Sequence, residues 1–221
     1  VGTEETALIT IAQARAFYTD DDPVHDFAHV LRVLALAERL ARMEGADLEI
    51  VRMAALLHDI ARPDDDNADS GFALEADEGT DHAVLAGRRA RRILEGADPA
   101  FVDAVVHAIE AHRFRNDIEP QTIEAKVLFD ADKLDAIGAV GVARAFAYTG
   151  RHSMPLWGEV SEDYRPGESD EQHTANHEFH VKLGRIKDRL YTASGRRIAE
   201  ARHKVMVTFF EEMAAEVRGE R

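Results

Sequence analysis

Apolar residues recur at steps of three and four along most of this 221-residue chain, and no segment alternates as a strand would. That periodicity restricts the chain to helices packed on helices. Phe27, Val30, Leu34, Ala37 and Ala41 form one buried stripe in a helix from His25 to Ala41. Ile50, Met53, Ala54, Leu57 and Ala61 form another in a helix from Leu48 to Ala61, capped by Asp47 and stopped by Pro63. Further helices are expected at Ile9–Tyr18, at His82–Leu94 behind an Asp81 or Thr80 cap, and from Asp98-Pro99 to His112. Others are expected at Thr122–Asp135, at Val142–Tyr148 behind Gly138 and Gly141, and at 175–192 and 195–218. Residues 149–173, with Pro155, Trp157, Gly158, Pro166 and Gly167, read as a long ordered loop or flap. The expectation is one all-α domain, with a core at about 20–150 and a flap and two helices at about 151–218 packed on it.

Composition narrows the chemistry. The chain has no cysteine, which removes disulfides, thiolate metal sites and cysteine nucleophiles, and fits a reducing cytoplasm. Any metal must be held by nitrogen and oxygen. A formal charge of −15 opposes general affinity for nucleic acid or anionic membranes. No apolar run approaches the roughly 18 residues of a membrane span, and the N-terminal Val-Gly-Thr-Glu-Glu lacks the features of a secretory signal. Residues 64–81 hold eight acidic side chains and no Lys or Arg, and read as a solvated connector, with a lid or second carboxylate source as the alternative. By contrast, Lys182 to Lys204 holds eight basic residues against Asp188 and Glu200, a local +6. Lys182 and Arg197 in this stretch are candidate phosphate contacts; pairing of these cations with the acidic loops is the competing reading.

The run Met53-Ala-Ala-Leu-Leu-His-Asp-Ile-Ala-Arg62 ends an apolar helix in His58-Asp59. Burying an imidazole and a carboxylate is costly unless both find partners, and a divalent ion can satisfy both. His29 lies beside the stripe of its helix, and Asp132 lies in an equally apolar run. Each alone reads as a hydrogen-bonded core residue. Two histidines and two aspartates together suit Mn²⁺, Mg²⁺, Fe²⁺, Co²⁺ or Ni²⁺.

These residues stand in the order His29, His58-Asp59, Asp132, within His25-Asp-Phe-Ala-His-Val-Leu-Arg-Val33, Ala-Ala-Leu-Leu-His-Asp-Ile60 and Phe129-Asp-Ala-Asp-Lys-Leu-Asp-Ala-Ile-Gly138. The pattern resembles that of the HD-domain metal-dependent phosphohydrolases. With Ala108-Ile-Glu-Ala-His-Arg-Phe-Arg115 and Arg196-Arg-Ile-Ala-Glu-Ala-Arg-His203, it is similar to the bacterial stand-alone members that act on nucleotides. The resemblance spans about residues 20–215.

The resemblance implies a helical fold holding one divalent metal on His29, His58, Asp59 and Asp132. It implies hydrolysis of a phosphorylated small molecule, a nucleotide above all, by in-line attack of metal-activated water. A nucleoside triphosphate cleaved to monophosphate and pyrophosphate is one such substrate. Asp59 divides between the metal and the attacking water, while Lys133 and Arg62 are the candidates for phosphate contact. Several relatives keep a catalytic carboxylate where this chain has Arg62, and Asp64, Asp65, Asp66 or Glu75 in the acidic loop could replace it. His82 and His112 resemble the histidines that bind a second metal in some HD phosphodiesterases; here each reads as a structural or substrate-contacting residue. The alternatives are a cyclic-nucleotide or other phosphodiesterase on the same site, and a non-catalytic nucleotide sensor with a structural metal. Monomer and homodimer both fit the sequence.

Overall fold

A computed structural model of the chain describes residues 9–18, 27–61, 81–114 and 116–221. The candidate phosphate contact Arg62 and the acidic stretch 64–80 lie outside these residues, as does the turn at 19–23. Among the described residues there is no strand, and no helix is long and apolar enough to cross a membrane.

The helices are α1 (Ile11–Arg15), α2 (Phe27–Glu44), α3 (Leu48–Leu57), α4 (His82–Ile93), α5 (Pro99–Glu110), α6 (Ile123–Asp135), α7 (Gly138–Arg151), α8 (Ala175–Val181) and α9 (Ala193–Val217). Their contacts divide the chain into two compact units. The first is Val1–Asp64 with Asp77–Asp132, and the second is Asp65–Ala76 with Lys133–Arg221. The division falls after Asp132, inside α6.

In the first unit, the apolar stripes pack as their spacing predicts. Phe27, Val30, Leu34, Ala37 and Ala41 of α2 are buried, as are Met53, Ala54, Leu57 and Ala61 around α3. Asp47 caps α3 by accepting from the amides of Glu49 and Ile50. Glu124 fixes the approach to that helix, accepting from the amide of Asp47 at 3.0 Å. Asp98 caps α5 in the same way, with Pro99 at its first position. α4 and α5 form an antiparallel hairpin: Arg91 pairs with Asp103 near its connection, and Gly87, mid-way along α4, lies against Glu110 at the end of α5.

In the second unit, two expectations are corrected. The segment 175–192 is not one helix: α8 ends at Val181, and a 3-10 segment, Leu183–Arg189, follows. Leu183 and Ile186 are buried by that tighter winding. Gly138 and Gly141, expected ahead of a helix from Val142, are themselves in α7. Gly138 has φ +80° and faces the Arg202 stem. At Gly141 a Cβ would lie 2.2 Å from the carbonyl oxygen of Ala136. Only glycine permits so close an approach.

Residues 152–174 have no regular helix but are tied to α8 by two histidine–carboxylate contacts. His177 Nε2 donates to Glu171 at 3.0 Å, while its Nδ1 accepts from the Thr174 hydroxyl at 2.8 Å. The Tyr164 hydroxyl donates to His173 Nδ1 at 2.6 Å, and His173 Nε2 donates to buried Glu178 at 3.1 Å. Hydrogen bonding from Ser161, and then from His177, holds the Glu171 carboxyl below its ordinary value.

Gly141→Ala should cost about 2–3 kcal/mol through this backbone overlap. Gly150→Ala, in the same helix with nothing within 4 Å, should stabilise the protein by about 0.5 kcal/mol. Denaturant unfolding of both variants checks the contrast. Because the Glu171 value is lowered on folding, its contribution is complete above the ordinary carboxylate value of 4.5 and is lost as pH falls through the folded one. Amide exchange across 161–173, corrected for intrinsic rates, should therefore accelerate in acid, and Glu171→Gln should abolish that dependence.

Candidate metal centre

Six side chains from five helix ends meet in the first unit. His29 comes from the first turn of α2, and His58 and Asp59 from the turn closing α3. His82 opens α4, His112 follows α5 by two residues, and Asp132 lies in the last turn of α6. Asp132 is half-buried and the other five are buried.

Asp59 is at the middle. Its Oδ2 lies 3.7 Å from His29 Nε2 and 3.5 Å from His58 Nε2. Its Oδ1 lies 3.5 Å from His82 Nε2 and 3.7 Å from His112 Nε2. His29 Nε2 is also 3.3 Å from His58 Nε2 and 3.4 Å from Asp132 Oδ1. Two donor groups result, His29–His58–Asp132 and Asp59–His82–His112, each with its ligand atoms within 4.8 Å of one another.

The ring orientations follow from local backbone. His58 Nδ1 is 2.8 Å from the carbonyl of Ala55, and His112 Nδ1 is 2.5 Å from that of Ile109. A carbonyl only accepts, so each Nδ1 bears a hydrogen. In the neutral ring Nε2 then presents its lone pair to the cluster. Burial pushes the His58 imidazole below its ordinary value, outweighing the opposing pull of Asp59 and Asp132, and so favours that neutral form. On α4, Arg89 Nη1 donates to the carbonyl of Ile60 at 2.6 Å and braces the turn holding Asp59.

These groups fit a divalent cation. Adjacent ligands on an ion with bonds near 2.1 Å stand about 3 Å apart. The nitrogen and oxygen separations here, 3.3–3.7 Å, are slightly wider. The set is imidazole and carboxylate, suited to hard or borderline ions. Two carboxylates among buried imidazoles also need a compensating positive charge. His29, His58, Asp59 and Asp132 could hold one cation, and the arrangement offers Asp59, His82 and His112 as a second group.

A family model described as HD domain matches residues 26–137. The chain belongs to the HD-domain family. It is 37% identical over 209 residues to the uncharacterized protein YpgQ of Bacillus subtilis (strain 168), covering 93% of this chain and 90% of that protein. The crystal structure of B. subtilis YpgQ in complex with ADP matches with a TM-score of 0.68 at 30% identity, over 95% of this chain and 99% of that one. The crystal structure of a predicted HD superfamily hydrolase from an uncultured Thermotogales bacterium matches with a TM-score of 0.62 at 32% identity, over 93% and 90% of the two chains. Ribonuclease Y of Thermoanaerobacter pseudethanolicus is 36% identical over 108 residues, which is 49% of this chain and 18% of that protein.

The four residues of the HD pattern are thus brought together, and so are His82 and His112, on the far oxygen of Asp59. Lys133 follows Asp132 on α6, half-buried and in the second unit. Lys182 and Arg197 also belong to the second unit, where Lys182 pairs with Glu178 at 3.4 Å and Arg197 donates to the Ser194 hydroxyl at 3.1 Å. Lys187 pairs with Asp188 and Glu200, and Arg196 donates to the carbonyls of Leu190 and Tyr191. These cations of the +6 stretch are satisfied by neighbours within their own unit. Sequence reading missed Arg89 and Arg113; for Arg113 the available signal was a cation directly after His112.

Mn²⁺ at about a hundred times its Kd should stabilise the wild type by about 2.7 kcal/mol. Asp59→Asn should lose most of that gain while keeping wild-type helicity. Thermal unfolding with and without Mn²⁺, followed by circular dichroism, measures both.

Proposed function

We propose that this protein is a divalent-metal-dependent phosphohydrolase acting on a nucleotide. The observation that carries the reading is the buried carboxylate of Asp59 set between two pairs of imidazole nitrogens. His29, His58, Asp59 and Asp132 would hold the ion. When bound, such an ion supplies Lewis-acid polarisation of a phosphoryl group and a lowered pKa for water. The protein's own part is positional. The Ala55 carbonyl keeps the proton on His58 Nδ1, so Nε2 stays an acceptor. Lys133, adjacent to Asp132, is proposed as the cation that meets a substrate phosphate. The crystal of the relative YpgQ with ADP supports a nucleotide substrate, and a triphosphate cleaved to monophosphate and pyrophosphate is the substrate to try first.

A second reading, a phosphodiesterase, is favoured by one observation. His82 and His112 give Asp59 Oδ1 a nitrogen pair of its own, as a two-metal centre requires. The partial similarity to ribonuclease Y points the same way.

Turnover of a nucleotide panel with Mn²⁺, Co²⁺ and Ni²⁺, resolving phosphate from pyrophosphate, tests the first reading. Release of p-nitrophenol from bis(p-nitrophenyl) phosphate, a phosphodiester, tests the second. Nucleoside triphosphates should turn over faster than the diester, and Asp59→Ala should abolish both reactions. Retained turnover in Asp59→Ala would sink the site assignment.

A further inference from the structure

His82 and His112 are separated by 30 residues yet reach the same oxygen of Asp59. What brings them there is the α4–α5 hairpin. It is fastened at three levels. Arg91 and Asp103 pair at 2.7 Å near the connection, both half or more exposed. Between these ends, Gly87 at the middle of α4 admits the side chain of Glu110, the last residue of α5, at a distance that a Cβ would contest. At the open end, Asp81 Oδ2 accepts from Arg113 Nη1 at 2.9 Å. That pair consists of the residue immediately before His82 and the residue immediately after His112.

The last pair differs from the first in environment and in geometry. The Arg113 side chain is 8% exposed and that of Asp81 is 21% exposed, so the contact is screened far less than a surface pair. Asp81 also has two tasks, one for each oxygen. Oδ1 accepts from the Ala83 amide at 2.8 Å and caps α4, while Oδ2 takes Arg113. The cap fixes where α4 begins, and therefore where His82 stands. The ion pair fixes how far the end of α5 lies from it. The two rings sit 5.7 Å apart between centroids. Liganding groups tolerate displacements of only about 0.5 Å before a site loosens.

We infer that the Asp81–Arg113 ion pair is a positioning clamp that closes the open end of the α4–α5 hairpin, holding His82 and His112 on Asp59 and setting cation affinity on that side of the centre. Neither residue is a ligand. The affinity part of the inference rests on reading Asp59–His82–His112 as a cation group.

The experiment uses the full chain with Asp81→Asn, which keeps a capping oxygen but loses the charge, and with Arg113→Gln and Arg113→Lys. In cation-free protein, imidazole ¹H–¹⁵N correlations report ring position. Those of His82 and His112 should move in Asp81→Asn and Arg113→Gln, those of His29 and His58 should stay, and Arg113→Lys should return the pair part of the way. In a Mn²⁺ titration followed by electron paramagnetic resonance, both charge-removing variants should bind the first equivalent as the wild type does. Each should bind the second at least tenfold more weakly. This separates position from simple electrostatics: losing Arg113 would by charge alone strengthen cation binding, whereas losing the clamp weakens it. Tighter second-site binding in Arg113→Gln overturns the inference, as do unmoved His82 and His112 rings or equal movement of all four. If the wild type takes up a single Mn²⁺ while the rings respond as expected, the two-cation reading fails and the positioning role stands.

Discussion

The structure of the first unit depends on one shared anion. Asp59 offers each of its oxygens to a different pair of imidazole nitrogens, at 3.5–3.7 Å, in surroundings that leave its side chain 6% exposed. A carboxylate so placed is stable only with positive charge or hydrogen-bond donors on both sides. Four helix ends supply those neighbours, and a fifth supplies Asp132. The helices are thus arranged so that polar ends converge while apolar stripes face one another elsewhere.

Most of this was legible in the sequence because two independent signals agree. Helical spacing marked the buried faces of α2 and α3 correctly, down to Phe27, Val30, Leu34, Met53 and Leu57. His58-Asp59 then stood out because a polar pair interrupts an otherwise apolar face. His29 and Asp132, polar residues on equally apolar helices, completed the set, and the structure sets them beside His58. The separate roles of the Asp59 oxygens were not legible, since spacing along a chain fixes which face a residue occupies but not which oxygen it meets. The same limit hid Arg113, whose partner Asp81 is 32 residues away.

The second unit shows where periodicity fails. Residues 175–192 keep apolar positions at helical steps, yet the chain tightens into a 3-10 segment after Lys182. Ahead of that segment, the polar groups of α8 are engaged locally. Buried Glu178 receives His173 and Lys182, and His177 is held between Glu171 and Thr174. In the +6 stretch, Lys187 and Arg196 are engaged by carboxylates and carbonyls close by. Net charge over a stretch says nothing about which cations are already spoken for.

His58 and His112 share a device: each ring leans on the carbonyl three residues earlier in its own helix end. Their aim is therefore inherited from one turn of local backbone and not from remote packing. A lineage could exchange much of the surrounding core and still pass on the same ring tautomer, provided those helix ends kept their shape. Conversely, moving either histidine by one position would lose ring direction and helix register together. The centre should drift little over evolutionary time even as the helices that present it diverge.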